Sequence, residues 1–449
     1  MIGLEIHMQL KTDSKLFCGC SASYRDAEPN SNICEVCVSH PGAKPRALNE
    51  RALNNLLKLA IALNCDICKG EVLIQRKHYF YPDLPSNYQR TSKPIASKGK
   101  LGNIGITELH IEEDPGRYEL RRGHVDFNRS GVPLVELVTD PDFRSPEEAR
   151  EFLEELQAIT DYLGCIRAEA GGTRIDANIS LAGGKRVEVK NINSFKGVYT
   201  ALKYEITRQG SLLKKGLAIE QETRHFDESQ GITIGLRKKE TAADYRYIPD
   251  PDLLPLKIDE KMIEEIKKSL PVLPRERAKQ IEEKYGIRAE DAWLLVVEKD
   301  LCSLFENLAS KFDAQKLAFW IRGALKKQLN YRDMSYKESG VKEEWVEKLL
   351  EKFFAGEITD KVMEKTLIKM LDEKKFEDLE KMSAIKDAGE LERIVDEVMG
   401  ENRKAVEDYK AGAEKAINAL AGQVMRKTKG RADSKIVMEL LKKKLEKGN

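Results

Sequence analysis

The sequence predicts an α+β protein, a mainly antiparallel sheet domain followed by an all-helical remainder. Through the first half of the chain, polar and apolar residues alternate with the period of two expected of a strand with one covered and one open face. The regular strand-helix alternation of a doubly wound sheet is missing there. All 15 prolines lie at or before Pro274 and all six histidines at or before His225, whereas the rest is rich in Lys, Glu, Leu and Ala at helical spacing. At 449 residues the chain exceeds one ordinary core, so two or three domains are expected.

The first predicted strand is Gly3-Leu4-Glu5-Ile6-His7-Met8-Gln9-Leu10, in which Glu5, His7 and Gln9 share one surface. The same alternation groups Glu108, His110 and Glu112 within Thr107-Glu108-Leu109-His110-Ile111-Glu112-Glu113-Asp114. Pro133-Leu134-Val135-Glu136-Leu137-Val138 isolates Glu136 in an otherwise apolar strand. A carboxylate there is costly unless paired or bound to a cation, which points to a Mg2+ site facing a phosphate. For any one strand a solvated sheet face explains the pattern equally well, but three such strands favour a site. Two more strands offer a polar face, one through Asp176 and Asn178, the other through Glu188 and Lys190.

Cys18-Gly19-Cys20 and Cys34-Glu35-Val36-Cys37 form two close pairs separated by a polar loop, the layout of a four-thiolate zinc knuckle. Four protein ligands close the tetrahedron, so this Zn2+ is expected to be structural. Cys65, Cys68, Cys165 and Cys302 are expected to be ordinary buried thiols. A helix is predicted from Glu50 to Leu63.

The predicted divisions are a sheet domain over 1–258, linker helices over 259–292, a helical domain over 293–400 and a tail over 401–449. Pro249, Pro251, Pro255, Pro271 and Pro274 mark the linker, and Gly400 with Glu401-Asn402-Arg403-Lys404 interrupts the helical pattern before the tail. From Arg403 to Asn449 there are 13 Lys and Arg against 6 Asp and Glu, a balance of +7 in a chain whose net charge is +1. Arg426, Lys427, Lys429 and Arg431 surround a glycine turn between two amphipathic helices, a cluster suited to a nucleic-acid phosphate backbone, although a solvated lysine-rich face has the same composition. No membrane-spanning run or signal peptide is present, so a cytoplasmic chain is expected. Neither a Walker loop nor a Gly-x-Ser-x-Gly elbow occurs, which leaves phosphate chemistry through metal and carboxylates as the best supported option.

Longer motifs carry a family resemblance. Gly3-Leu4-Glu5-Ile6-His7, Arg76-Lys77-His78-Tyr79-Phe80-Tyr81-Pro82-Asp83-Leu84-Pro85, His110-Ile111-Glu112-Glu113-Asp114, Asp126-Phe127-Asn128-Arg129-Ser130-Gly131-Val132-Pro133-Leu134-Val135-Glu136, Glu188-Val189-Lys190-Asn191-Ile192-Asn193-Ser194 and Gln221-Glu222-Thr223-Arg224 resemble the B subunits of the tRNA-dependent amidotransferases. Val406-Glu407-Asp408-Tyr409-Lys410 through Gly422-Gln423-Val424-Met425 to Leu441 resembles the YqeY-like tail of the same proteins, so the likeness runs nearly end to end.

The resemblance implies a cradle domain, a helical domain and a small tRNA-binding tail. It also implies that ATP activates the side-chain carboxylate of Glu-tRNA(Gln) or Asp-tRNA(Asn) as an acyl phosphate, which is amidated with ammonia that the glutaminase A subunit supplies. The small C subunit is the third member of the heterotrimer. By matching motif, Glu5, His7, Glu113 and Glu136 are the metal-centred activation site, with His110 and Glu112 beside them. Lys77 matches a position at the mouth of the ammonia channel, where a lysine that sheds its proton would fit; a lysine paired to a carboxylate or phosphate fits equally well. Asp176, Asn178, Glu188, Lys190, Arg224 and Asp227 are further substrate-binding candidates, and ion pairing across the sheet would also account for them.

The chain departs from the pattern by beginning two residues before its first motif, and some relatives lack the four cysteines, which agrees with a structural metal. The related archaeal Glu-specific E subunit has an extra synthetase-like insertion for which 449 residues leave no room. A tRNA-binding assembly subunit without chemistry would leave Glu136 unexplained. A stand-alone metal-dependent hydrolase would leave the basic tail unexplained.

Overall fold

In a computed structural model of the chain, residues 1–119, 122–167, 171–238, 245–376, 385, 388–411, 413 and 415–447 are described. The chain divides into two compact units, Met1–Arg277 and Ala278–Asn449.

Among the described residues, the first unit holds all sixteen strands: β1 (Ile2–Gln9), β2 (Asp66–Ile67), β3 (Gly70–Val72), β4 (Ile74–His78), β5 (Tyr88–Ser92), β6 (Ala96–Leu101), β7 (Ile104–Glu113), β8 (Arg117–Glu119), β9 (His124–Asp126), β10 (Pro133–Thr139), β11 (Thr173–Ile179), β12 (Val187–Ile192), β13 (Glu222–Asp227), β14 (Ile232–Lys238), β15 (Ile248–Pro249) and β16 (Leu256–Ile258). Twelve of them form one sheet along the path β14-β13-β12-β11-β1-β10-β7-β5-β4-β15, with β6 on β7 and β2 on β6. Every pair is antiparallel except β12 and β13. That parallel pair follows from the 20-residue helix inserted between its strands, which returns the chain to the starting edge as a crossover.

Three helices cover one face: α1 (Glu50–Ala62), α2 (Pro146–Leu163) and α3 (Phe195–Lys214). Their starts are specified locally. Asn49 accepts from the Arg51 and Ala52 amides, Ser145 from Glu148 with Pro146 in the first turn, and Ser194 from Gly197. Gly197 also sets the packing distance, since a Cβ there would lie 3.0 Å from Ile192 Cγ2 and 3.3 Å from Phe226. Leu4, Ile6 and Met8 point into this layer beside Val135, Leu137, Leu109, Ile111, Ile175 and Ala177, all in one continuous core. Consecutive strand residues point to opposite faces, so Glu5, His7 and Gln9 turn away from it.

The helices α4 (Glu260–Ser269) and α5 (Pro274–Tyr285) follow the sheet. The expectation of linker helices from residue 259 meets a different packing: Ile263 and Ile266 of α4 are buried in the sheet domain's own core, because the helix lays its apolar stripe beside α1.

The second unit is helical: α6 (Ala289–Val297), α7 (Lys299–Leu308), α8 (Ala314–Trp320), a π-helical turn (Ile321–Leu325), α9 (Lys326–Tyr331), α10 (Tyr336–Ser339), α11 (Glu343–Phe354), α12 (Asp360–Glu373), α13 (Ala388–Glu401), α14 (Arg403–Lys410), α15 (Ala416–Lys427) and α16 (Ser434–Lys447). Leu391, Val395 and Val398 of α13 share a core with Ile417, Leu420, Val424, Val437 and Leu441. This packing unit therefore begins ahead of the predicted boundary near residue 400. Gly400 sits inside α13, where its cost of about 1 kcal/mol relative to alanine is offset by the buried face of the helix. No described helix is long and apolar enough to cross a membrane.

Ile6 is fully buried at the middle of β1, one residue from both Glu5 and His7. Ile6→Ala should cost about 2–5 kcal/mol and Ile6→Val about 0.5–1.5 kcal/mol, read as the shift in the denaturation midpoint of the sheet domain.

Candidate activation site on the open sheet face

The strand register assembles the open face. His7 lies opposite Glu136, and Glu136 opposite His110, so these three side chains form one row across β1, β10 and β7. Glu136 is 7% exposed. Its Oε2 lies 2.9 Å from His110 Nε2 and 3.4 Å from His7 Nε2, and His7 Nε2 also lies 3.5 Å from Glu112 Oε1 and 3.7 Å from Glu5 Oε1. Burial disfavours the Glu136 carboxylate, but the two imidazoles outweigh it and hold its pKa well below the usual range. Burial opposes charge on His7 as well, yet its bond to Glu136 and the field of Glu112 raise it to about 9. Glu5 is pushed up to about 7 by burial and by Glu136. Burial and Glu136 also raise Glu112.

So many acidic groups share one face that they cannot all ionise without added positive charge. The ligand atoms of Glu5, His7 and Glu136 lie within 4.8 Å of one another, as do those of His110, Glu112 and Glu136. Glu112 Oε2 is buried without a hydrogen-bond partner among the described residues, and so is Asn178 Oδ1. An oxygen-rich cluster with an orphaned carboxylate oxygen fits a hard divalent cation such as Mg2+.

Glu113 does not join this cluster. It follows Glu112 directly on β7, so the pleat sends it to the other face, where Oε2 lies 3.5 Å from Arg90 Nη1. Arg90 is in turn held by Asp250 Oδ2 at 2.9 Å. Of the adjacent pair, the structure brings Glu112 rather than Glu113 to the row.

Asp176 is registered with Glu5, and Lys190 Nζ lies 2.7 Å from Asp176 and 3.5 Å from Glu188, extending the face to β11 and β12. Asn178 is opposite Glu188. Arg224 and Asp227 lie elsewhere. The Arg224 guanidinium pairs with Glu222 at 3.1 Å and with the buried Glu205 of α3 at 3.2 Å, on the helix-covered side. Asp227 closes the β13–β14 turn by accepting from the Ser229 and Gln230 amides. Both are accounted for by local structure, which is the ion-pairing alternative.

Lys77 on β4 completes the face. Burial favours its neutral amine, but Glu112 and Glu136 more than reverse this and raise its pKa, and its Nζ lies 5.1 Å from the Tyr245 ring. The field of these carboxylates favours the ammonium form of Lys77, in keeping with the alternative of a lysine paired to a carboxylate.

Arg174 escaped the sequence reading. It lies directly opposite His7 and pairs with the buried Asp114, which also accepts from Gln9 Nε2 at 2.7 Å. The signal was available, because Arg174 alternates in step with Asp176 and Asn178.

The sulfur atoms of Cys18, Cys20, Cys34 and Cys37 lie within 4.8 Å of one another, an all-thiolate set that fits Zn2+. Cys165 and Cys302 are buried as expected, whereas Cys68 is exposed because β2 lies at the sheet edge.

In the second unit, Arg426, Lys429 and Arg431 line a groove together with Lys361 and Lys365 of α12. Lys427 lines the same groove and also pairs with Glu397 at 2.7 Å and Glu401 at 2.8 Å.

The geometry separates the adjacent glutamates experimentally. Glu112→Gln should weaken binding of Mn2+, used as a paramagnetic stand-in for Mg2+, by about 10–100-fold. Glu113→Gln should lower stability through Arg90 while leaving Mn2+ affinity close to that of the unaltered chain. Titration followed by electron paramagnetic resonance reads both.

Comparisons with known proteins agree with this architecture. The family described as "GatB/GatE catalytic domain" matches residues 1–264, and that described as "GatB domain" matches 303–445. The aspartyl/glutamyl-tRNA(Asn/Gln) amidotransferase B subunit of Methanothermobacter thermautotrophicus is 49% identical over 447 residues, covering 99% of both chains. That of Methanobrevibacter smithii is 48% identical over 451 residues, covering 99% of this chain and 100% of its own. That of Methanopyrus kandleri is 48% identical over 454 residues, covering 99% and 98%. The chain belongs to the family of aspartyl/glutamyl-tRNA(Asn/Gln) amidotransferase B subunits.

Proposed function

We propose that this chain is the activating subunit of an aminoacyl-tRNA amidotransferase. Working with glutaminase (A) and small (C) subunits, it converts misacylated Glu-tRNA(Gln) or Asp-tRNA(Asn) to the amidated form. The observation that carries this reading is the buried Glu136 carboxylate between His7 and His110, with Glu5 and Glu112 around it on an open sheet face.

The reaction transfers the γ-phosphoryl group of ATP to the side-chain carboxylate of the esterified amino acid, releasing ADP. Ammonia then attacks the activated carbonyl, expels phosphate and leaves the amide. Mg2+ bound by Glu5, His7, Glu112 and Glu136 would neutralise charge on the phosphate oxygens. The chain's own groups orient and balance charge around that step. Glu136 fixes both imidazole rings, while Lys77 and Lys190 place ammonium groups at opposite sides of the carboxylates, where they attract an anionic substrate. No protein nucleophile is required, which suits a face without a serine or cysteine in the row. A structural Zn2+ on Cys18, Cys20, Cys34 and Cys37 would brace the loop before α1.

We assign activation to the sheet domain and tRNA contact to the tail, with Arg426, Lys429 and Arg431 facing the phosphate backbone. Lys427 has a lesser share because Glu397 and Glu401 already neutralise it.

Glu136→Gln keeps the shape and removes the charge. In the assembly reconstituted with the A and C subunits, ATP, Mg2+ and pre-charged tRNA, it should lower amidation by more than about 100-fold while glutamine hydrolysis by the glutaminase stays measurable. Undiminished amidation would remove Glu136 from the site.

Replacing Arg426 and Lys429 together by glutamine should raise the KM for aminoacyl-tRNA and reduce the salt slope of binding by about 2, with kcat at saturation retained. An unchanged salt slope would place the tRNA contact elsewhere.

A further inference from the structure

The zinc knuckle contains a buried cation. Lys15 lies three residues before Cys18 and is 1% exposed. Its Nζ lies 3.5 Å from Cys37 Sγ, 3.0 Å from the Asn32 carbonyl oxygen and 3.4 Å from the Phe127 carbonyl oxygen. The three ammonium donors are thus matched by three acceptors, and among the described residues no Asp or Glu forms an ion pair with it. An ammonium withdrawn from water needs compensating negative charge nearby. Here the available source is the thiolates: four thiolates on one Zn2+ leave an excess of two negative charges, and Cys37 is the member of the set that touches Lys15.

We propose that Lys15 is a positioning residue of the metal centre. Its ammonium offsets half of the excess charge, holds the Cys37 sulfur in place and lowers its nucleophilicity, so that the metal is kept and the thiolate resists attack. The two carbonyl bonds give the same side chain a second task. Asn32 belongs to the loop carrying Cys34 and Cys37, and Phe127 to the segment leading into β10, so Lys15 ties the knuckle to the approach of the strand that bears Glu136. Ser130 Oγ reinforces this by donating to the Cys37 carbonyl oxygen at 3.0 Å. The inference rests on the zinc reading of the four cysteines.

The test uses the full-length chain with Lys15→Met, Lys15→Gln and Lys15→Arg. Zinc release to a chromophoric chelator should be about 10–100-fold faster in the methionine and glutamine variants, and arginine should restore slow release. With Co2+ in place of Zn2+, the thiolate-to-metal charge-transfer band should move to lower energy in the methionine and glutamine variants, because a sulfur that loses a charged donor becomes the more easily oxidised ligand. A purely structural lysine would leave that band where it is. Should Lys15→Met fail to fold, the band of Lys15→Gln, which keeps a donor without the charge, decides. Unchanged release and an unchanged band in Lys15→Gln would overturn the assignment. Wild-type protein that binds neither metal would instead sink the zinc reading on which it stands.

Discussion

The bonding of the Glu136 carboxylate to His7 and His110 is the interaction on which the open face depends. A lone carboxylate in the middle of a twelve-stranded sheet would carry a large desolvation cost. Two imidazoles in the same row remove that cost and bind three strands from different parts of the chain into one electrostatic unit. The interactions are mutual: the histidines favour the ionised form of Glu136, Glu136 favours the protonated form of both histidines, and the remaining carboxylates compete for protons or for a cation, whose binding through His7 would displace its proton.

The covered face makes this possible. Leu4, Ile6, Met8, Leu137 and Ile175 are packed under α1, α2 and α3, which holds the strands in one register. A slip of one residue in β1 would send Glu5 and His7 into the core and Ile6 to solvent, so the apolar pattern on one side secures the polar pattern on the other. The site is in this sense a consequence of the core.

Around the central row, buried ion pairs lock the ends of strands. Asp114 joins Gln9, Arg129 and Arg174, and Asp250 joins Arg76 and Arg90 across distances in sequence of more than 150 residues. Each such carboxylate is buried, and each would be strongly destabilising if one partner were removed. They hold the flanks of the face rigid, which the proposed alignment of ATP with a carboxylate would require.

Much of this was legible in the sequence. Strict alternation identified the polar faces of β1, β7, β11 and β12, the apolar run around Glu136 marked the costly carboxylate, and cysteine spacing marked the four-thiolate set. These features are local, and a period of two is a property of the strand alone. The alternation along β7 grouped Glu112 with His110, but motif matching named Glu113 instead. The pleat and Arg90 admit only Glu112 to the row. The extent of the tail core, the commitment of Lys427 to two glutamates, the capture of Arg224 by α3 and the burial of Lys15 beside Cys37 were decided in three dimensions. Their partners are distant in sequence, and a side chain's charge and spacing do not reveal which distant group will meet it. The sequence by itself determined which residues face the same way along each strand; the tertiary structure alone decided which strands stand side by side, because that follows from how the covered face packs.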